Sequence, residues 1–203
     1  MRSTAAYSLH ALTRAIPMSV SATVLLLWTL GCAPRLLDFY EDSFFPEDGI
    51  YANKILHFSL TYQDGWVIST DPNKMPANVQ SFAREMQKVN AELLYVGATV
   101  EGSHGTRGIA VNLNLPERDY AERVREINKN DVETDYGLTE MLIAGHSMVR
   151  WVYVKEGFRF AEFFFTSGTY NVRIAFWTRP ELFESFLPAY ESIMGTLQAV
   201  SRF

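Results

Sequence analysis

The chain has 203 residues, 48% of them hydrophobic and 14% aromatic, which is enough for one domain with a substantial core and too little for two. Charged residues make up 20% and Gly and Pro are moderate, so the composition excludes a disordered or fibrous chain. Eighteen Lys and Arg stand against 23 Asp and Glu. Without Arg2 and Arg14 of the leader the balance is 16 to 23, or −7, a charge that repels phosphate backbones and anionic headgroups and excludes nucleic acid as a partner.

Residues 1–31 have the proportions of a secretory leader: Arg2 and Arg14 precede a mostly apolar run over 16–30, and no acid occurs before Asp38. The run contains Pro17, Ser19, Ser21, Thr23 and Thr29 and falls short of the roughly 20 apolar residues that span a bilayer. It ends in Thr29-Leu30-Gly31-Cys32, which resembles the lipobox of bacterial lipoproteins, with Gly31 before the cleaved bond and Cys32 as the lipidated residue. Thr29 and Leu30 stand where that motif usually has Leu and a small residue. Cys32 is the chain's only cysteine, and a lone thiol in an oxidising envelope has no disulfide partner. Thioether lipidation would occupy it, and two or three acyl chains anchor stably where one binds only marginally. Ala33 rather than Asp follows, so the resemblance implies sorting to the outer membrane in a Gram-negative cell.

Residues 32–49 read as an acidic, aromatic tether, with Phe39, Tyr40, Phe44 and Phe45 among Asp38, Glu41, Asp42, Glu47 and Asp48. The domain then occupies 50–203. Alternation of Leu56, Phe58, Leu60 and Tyr62 predicts one strand over 51–62, turning at Gln63-Asp64-Gly65 into a hairpin with 66–69. Val79, Phe82, Met86 and Val89 predict a helix over 78–92. Strands follow at 93–100 and 108–115, joined by a glycine-rich loop over 101–107, and Pro116-Glu117 opens a charged helix striped by Tyr120, Val124 and Ile127. Residues 148–155, 158–166 and 169–177 read as an antiparallel meander. Thr178-Arg179-Pro180-Glu181 has capping-box spacing before an apolar closing helix. The whole is an α+β domain, an antiparallel β-sheet flanked by helices.

Several of these segments together resemble the PsbP-like family: Tyr51 and Asn53 before the first strand, Asp64 to Trp66 at the turn, Gly145 to Arg150 at a strand entry, and Phe176 to Glu184 into the last helix. The resemblance covers nearly all of the mature domain. It implies an α/β/α sandwich and a protein-binding rather than catalytic role. Photosynthetic members are extrinsic subunits of photosystem II, and bacterial relatives include envelope lipoproteins and secretion-effector chaperones.

The most reactive-looking stretch is Gly102-Ser103-His104-Gly105-Thr106-Arg107-Gly108, which matches neither a phosphate-binding loop nor a Gly-x-Ser-x-Gly elbow. Asp131, Glu133 and Asp135 alternate, as carboxylates on one strand face would, a pattern with hard-cation potential that equally suits a solvated edge. His104, Arg107, Asp131, Glu133 and Asp135 are therefore the candidate ligand or partner contacts. His57, His104 and His146 show no paired spacing, so neither a metal nor a cofactor is expected. Trp151, Tyr153, Phe163, Phe165 and Trp177 alternate along the meander without revealing which face each takes. The expectation is a noncatalytic, lipid-anchored envelope protein that binds another protein. The alternatives are a carrier of a small apolar or metal ligand and, behind it, a hydrolase using Ser103 and His104.

Overall fold

Alternation along ten-residue strands sets the architecture, because a strand whose odd and even side chains are both apolar needs cover on both faces. In the computed structural model, which describes residues 44–63 and 65–200, a seven-stranded antiparallel sheet meets that need. The leader, Gly31, Cys32, the first part of the tether and Asp64 lie outside the described residues.

A small sheet comes first. Strands β1 (Phe44–Phe45), β2 (Ile50–Asn53) and β3 (Phe58–Thr61) lie side by side, and the chain's last strand, β11 (Gln198–Ala199), pairs with β3. The large sheet comprises β4 (Trp66–Ser69), β5 (Ala91–Thr99), β6 (His104–Val111), β7 (Thr134–Ile143), β8 (His146–Lys155), β9 (Phe158–Ser167) and β10 (Tyr170–Thr178), in the order β4-β5-β6-β10-β9-β8-β7. Helices α1 (Ala77–Lys88) and α2 (Glu117–Asn128) cover one face, and α3 (Phe183–Met194) with the small sheet covers the other. The expected meander is β8-β9-β10, and the α+β class holds.

Parity sorts the meander's side chains. Ala161, Phe163 and Phe165 of β9 and Val172, Ile174 and Phe176 of β10 enter the core beneath α3, while Phe164, Trp151 and Tyr153 enter the core beneath α1 and α2. Phe163, Phe164 and Phe176 are fully buried, each contributing roughly 1.5–3 kcal/mol over an exposed ring. A bulge in β5 between Leu93 and Tyr95 turns both Leu94 and Tyr95 to the α3 side, where an unbroken strand would alternate them.

Local side-chain chemistry overrides the sequence pattern at five places. The single strand expected over 51–62 is two, because Asn53 Oδ1 accepts the amides of Ile55 and Leu56 at 3.1 and 2.8 Å and folds a turn there, with His57 at φ 55°. The expected hairpin across 63–65 does not form: β4 joins the large sheet, Trp66 opposite Thr99, while β3 stays in the small one. The first helix stops at Lys88, and Asn90 at φ 56° turns the chain into β5, leaving Val89 exposed. Ile127, expected in the α2 stripe, is also exposed, and Tyr120, Ala121 and Val124 form the buried face. The capping box is not made. Thr178 ends β10, its hydroxyl donating to the Ser103 carbonyl at 2.9 Å, and a 3₁₀ turn at Pro180–Leu182 precedes α3.

The largest correction concerns 101–107, expected as a loop. His104 to Arg107 belong to β6, and the glycines serve packing. A Cβ on Gly105 would lie 2.1 Å from the Trp177 ring, one on Gly108 2.5 Å from Tyr95, and one on Gly97 2.3 Å from Ile68 Cδ1. Glycine within a strand here marks the close approach of a large side chain. Gly105→Ala is expected to lower stability by about 1–3 kcal/mol in urea denaturation, and that cost should shrink when Trp177 is also replaced by Leu. Additive costs would show that the indole and Gly105 are not coupled.

Candidate functional site

Because 104–107 is a strand, its side chains divide between the two faces. His104 and Thr106 face the α3 side, and Gly105 and Arg107 face the α1–α2 side. Ser103 and His104 therefore share no catalytic geometry. Ser103 Oγ lies 3.3 Å from Thr99 Oγ1, whereas His104 Nδ1 lies 2.7 Å from the Tyr190 hydroxyl with its ring 3.7 Å from that of Phe186. His104 is 6% exposed, and burial lowers its pKa from the ordinary 6.5, with the Glu101 carboxylate acting in the opposite direction.

The α1–α2 face of the sheet carries the least ordinary chemistry. Arg107 and Glu162 both stand opposite Ala175, one on each neighbouring strand. Glu162 is 1% exposed; its Oε1 accepts Arg173 Nη1 at 3.2 Å and its Oε2 accepts the Tyr153 hydroxyl at 3.3 Å. Burial is the strongest single influence and works against the Arg173 charge, but the Glu162 carboxylate and the Tyr120 and Tyr153 hydroxyls together outweigh it and hold the guanidinium above its ordinary pKa. Burial, helped by Glu162, pushes the Tyr153 hydroxyl up, and burial pushes Tyr120 up to about 12. Both phenols thus stay neutral hydrogen-bonding groups.

A row of rings crosses this face. Trp177 and Phe160 are 5.6 Å apart between centroids, Phe160 and Tyr153 stack at 4.9 Å, and Tyr153 and Trp151 lie 4.0 Å apart. Each pair sits on adjacent strands or at alternating positions of one strand, where such contacts add about 0.5–1.5 kcal/mol beyond burial. At one end the Arg107 guanidinium lies 5.3 Å from the Phe82 ring centre and 5.9 Å from that of Trp177. At the other end Trp151 Nε1 donates to Asp135 Oδ1 at 3.0 Å.

The three alternating carboxylates do not converge. Only Asp135 lies in β7, where it also accepts Arg125 Nε at 2.6 Å and the Gly137 amide at 2.8 Å. Partial burial pushes its pKa up, but the bonds from Trp151, Arg125 and Gly137 outweigh that and hold it below the ordinary value. Asp131 pairs with Lys155 at 3.0 Å, and Glu133 accepts the Gly157 amide at 3.3 Å. All three fasten the 129–136 segment to its neighbours. Among the described residues no group of three His, Cys, Asp or Glu is arranged to hold a metal. Sequence reasoning missed Glu162 and Arg173, and the available signal was the two opposite charges inside otherwise apolar strands, Phe158–Ser167 and Tyr170–Thr178.

With this geometry in view, the solution structure of cyanobacterial PsbP (CyanoP) from Synechocystis sp. PCC 6803 superposes with a TM-score of 0.52 at 9% identity. The alignment covers 80% of this chain and 98% of that one. The chain has the PsbP-like fold. At 9% identity the likeness carries the PsbP-like architecture and no site residue. A protein of unknown function from Pseudomonas aeruginosa matches at 19% identity over 49% of this chain and 74% of that one, with a TM-score of 0.38. A Bacteroides thetaiotaomicron structure matches at 12% over 72% and 46%, with a TM-score of 0.42. No family model and no curated protein matches the sequence.

Removing the buried carboxylate alone should be costly. Glu162→Gln is expected to lose about 3–5 kcal/mol by leaving the Arg173 charge unneutralised, and the double variant with Arg173→Met should recover much of it. Equal loss in the single and double variants, measured by urea denaturation, would contradict the pairing. His104 gives a pH signature. Its folded pKa lies below the unfolded value, so the unfolded chain takes up the proton first. Stability should fall as pH drops from about 6.5 through the folded pKa and be unaffected above that range. The difference between wild type and His104→Gln, followed from pH 7.5 to 5, isolates this contribution.

Proposed function

We propose that the chain is an envelope lipoprotein, held to a membrane by lipid on Cys32 after cleavage at Gly31, that binds a protein partner without catalysing a reaction. An accessory, assembly or chaperone-like role fits this reading, and Ala33 favours the outer membrane in a Gram-negative cell. The observation that carries it is the commitment of the reactive-looking groups to internal bonds. His104 meets Tyr190, the Ser103 hydroxyl meets that of Thr99, Asp131 and Asp135 pair with Lys155 and Arg125, and Glu133 accepts the Gly157 amide. Surface complementarity is then the chemistry left for function. Both edge strands of the large sheet offer it, with Val67 of β4 and Tyr136 and Leu142 of β7 exposed. Among the described residues no helix is long and apolar enough to cross a membrane.

The test has two parts. Wild type should sediment with membranes and incorporate labelled palmitate, and Cys32→Ser should do neither; a Cys32→Ser chain that stays in the membrane pellet refutes the lipid anchor. Affinity capture of the lipidated chain from its own envelope should enrich one stoichiometric protein, and a chain that comes out alone refutes the binding role.

A further inference from the structure

Arg107 is the one member of the α1–α2 face polar group whose charge no neighbour neutralises. The group holds two guanidiniums, Arg107 and Arg173, and one carboxylate, Glu162, which is already bonded to Arg173 and Tyr153. Arg107 makes no ion pair among the described residues, and its Nε is buried without a hydrogen-bond partner. Its charge is nevertheless felt at the Tyr153 hydroxyl, where it opposes the rise in pKa caused by burial and Glu162.

The surroundings hold the guanidinium in place. Phe82 on α1 and Trp177 on β10 flank it, and Gly105 provides the space that lets the indole lie against the strand beside it. Arg107, Phe82, Phe160 and Trp177 are each only partly buried, so this end of the ring row reaches the surface. A guanidinium fixed between two rings loses little further freedom on binding, and its planar donor edge suits a carboxylate. Arg and Trp at a partly desolvated position are also the residue types that concentrate binding energy in protein interfaces.

Resting on the protein-binding reading above, we propose that Arg107, framed by Phe82 and Trp177, is the receptor for an aspartate or glutamate side chain of the partner protein. The argument is charge complementarity. The mature domain carries −7 overall, so an acidic partner is repelled by most of its surface and finds compensation at this cation. Several exposed basic groups are already matched, Lys88 with Glu85, Lys129 with Glu126 and Arg118 with Glu122 and Glu140, and among the described residues none of these is framed by rings as Arg107 is.

The experiment uses the full lipidated chain and the protein it captures. Arg107→Gln should weaken capture at least about tenfold, as expected for loss of a central charged contact, while Lys129→Gln leaves it unchanged. Arg107→Lys keeps the charge and adds an amine that a zero-length carbodiimide reagent can join to a carboxylate in contact. The amine displaces the activated carboxyl's leaving group to form an amide, and the reagent leaves as its urea. Mass spectrometry should find that amide between position 107 and an Asp or Glu of the partner, and not in wild type or Arg107→Gln. Circular dichroism checks that each variant is folded. Full-strength capture by folded Arg107→Gln, with no link at position 107, overturns this inference and leaves the binding role standing. Absence of any partner for wild type overturns both.

Discussion

Strands β6, β10 and β9 lie at the centre of a sheet covered on both sides, and everything else in the domain accommodates that cover. Such strands must present apolar surface at odd and even positions alike, and the rings they carry are large. Trp177 and Tyr95 find room only where the neighbouring strand has no side chain, at Gly105 and Gly108. The two glycines serve opposite faces, so the strand between them divides its functional groups by parity. His104 is thereby committed to α3 and Arg107 to the side of α1 and α2. A feature resembling a reactive loop is instead the thin part of a wall between two cores.

The buried Glu162–Arg173 pair carries a different kind of constraint. Removing two charges from water is expensive, and their attraction often does no more than offset it against an apolar pair of equal volume. What the pair supplies is direction. Glu162 accepts from Arg173 and Tyr153 together, which fixes Tyr153 and, through its stacked contact with Phe160 and the tilted contact of Phe160 with Trp177, the rest of the row. The ring row therefore ends at Arg107 in a set position, and a surface cation is supported from beneath by polar bonds that an apolar core would not provide.

Much of this architecture was legible in the chain. The meander over 148–177 showed itself by long apolar runs broken by Glu156-Gly157 and Ser167-Gly168, and the α+β class followed from it. The segments that misled did so for local reasons. Alternation over 51–62 is real, since Leu56, Phe58, Leu60 and Tyr62 are all buried, but periodicity cannot see that Asn53 turns the chain by capturing two amides. Strand β7 was largely invisible because an edge strand with a mostly exposed face has no clear apolar period. Glycines at 102, 105 and 108 carry the same letter for unlike reasons: a left-handed turn at Gly102, with φ 68°, and close ring contacts at the other two. Arg107 stands out in the sequence as a candidate contact, but its pairing with Phe82 and Trp177 does not, because the two rings are distant in sequence and reach the guanidinium from a helix and a neighbouring strand.

The proposed anchor bears on how such a surface would choose its partner. From Cys32 to Phe44 the chain is 12 residues, so full extension reaches at most about 40 Å. That span exceeds the roughly 8 Å over which charges are screened at physiological salt. Under the proposed anchor, an acidic domain at that reach would not be forced into contact with anionic headgroups, and a membrane-bound partner would meet it at high effective concentration. Affinity at the contact can then be modest. Selectivity rests on short-range features, and a single cation fixed between rings within a field of negative charge discriminates by position rather than by net attraction.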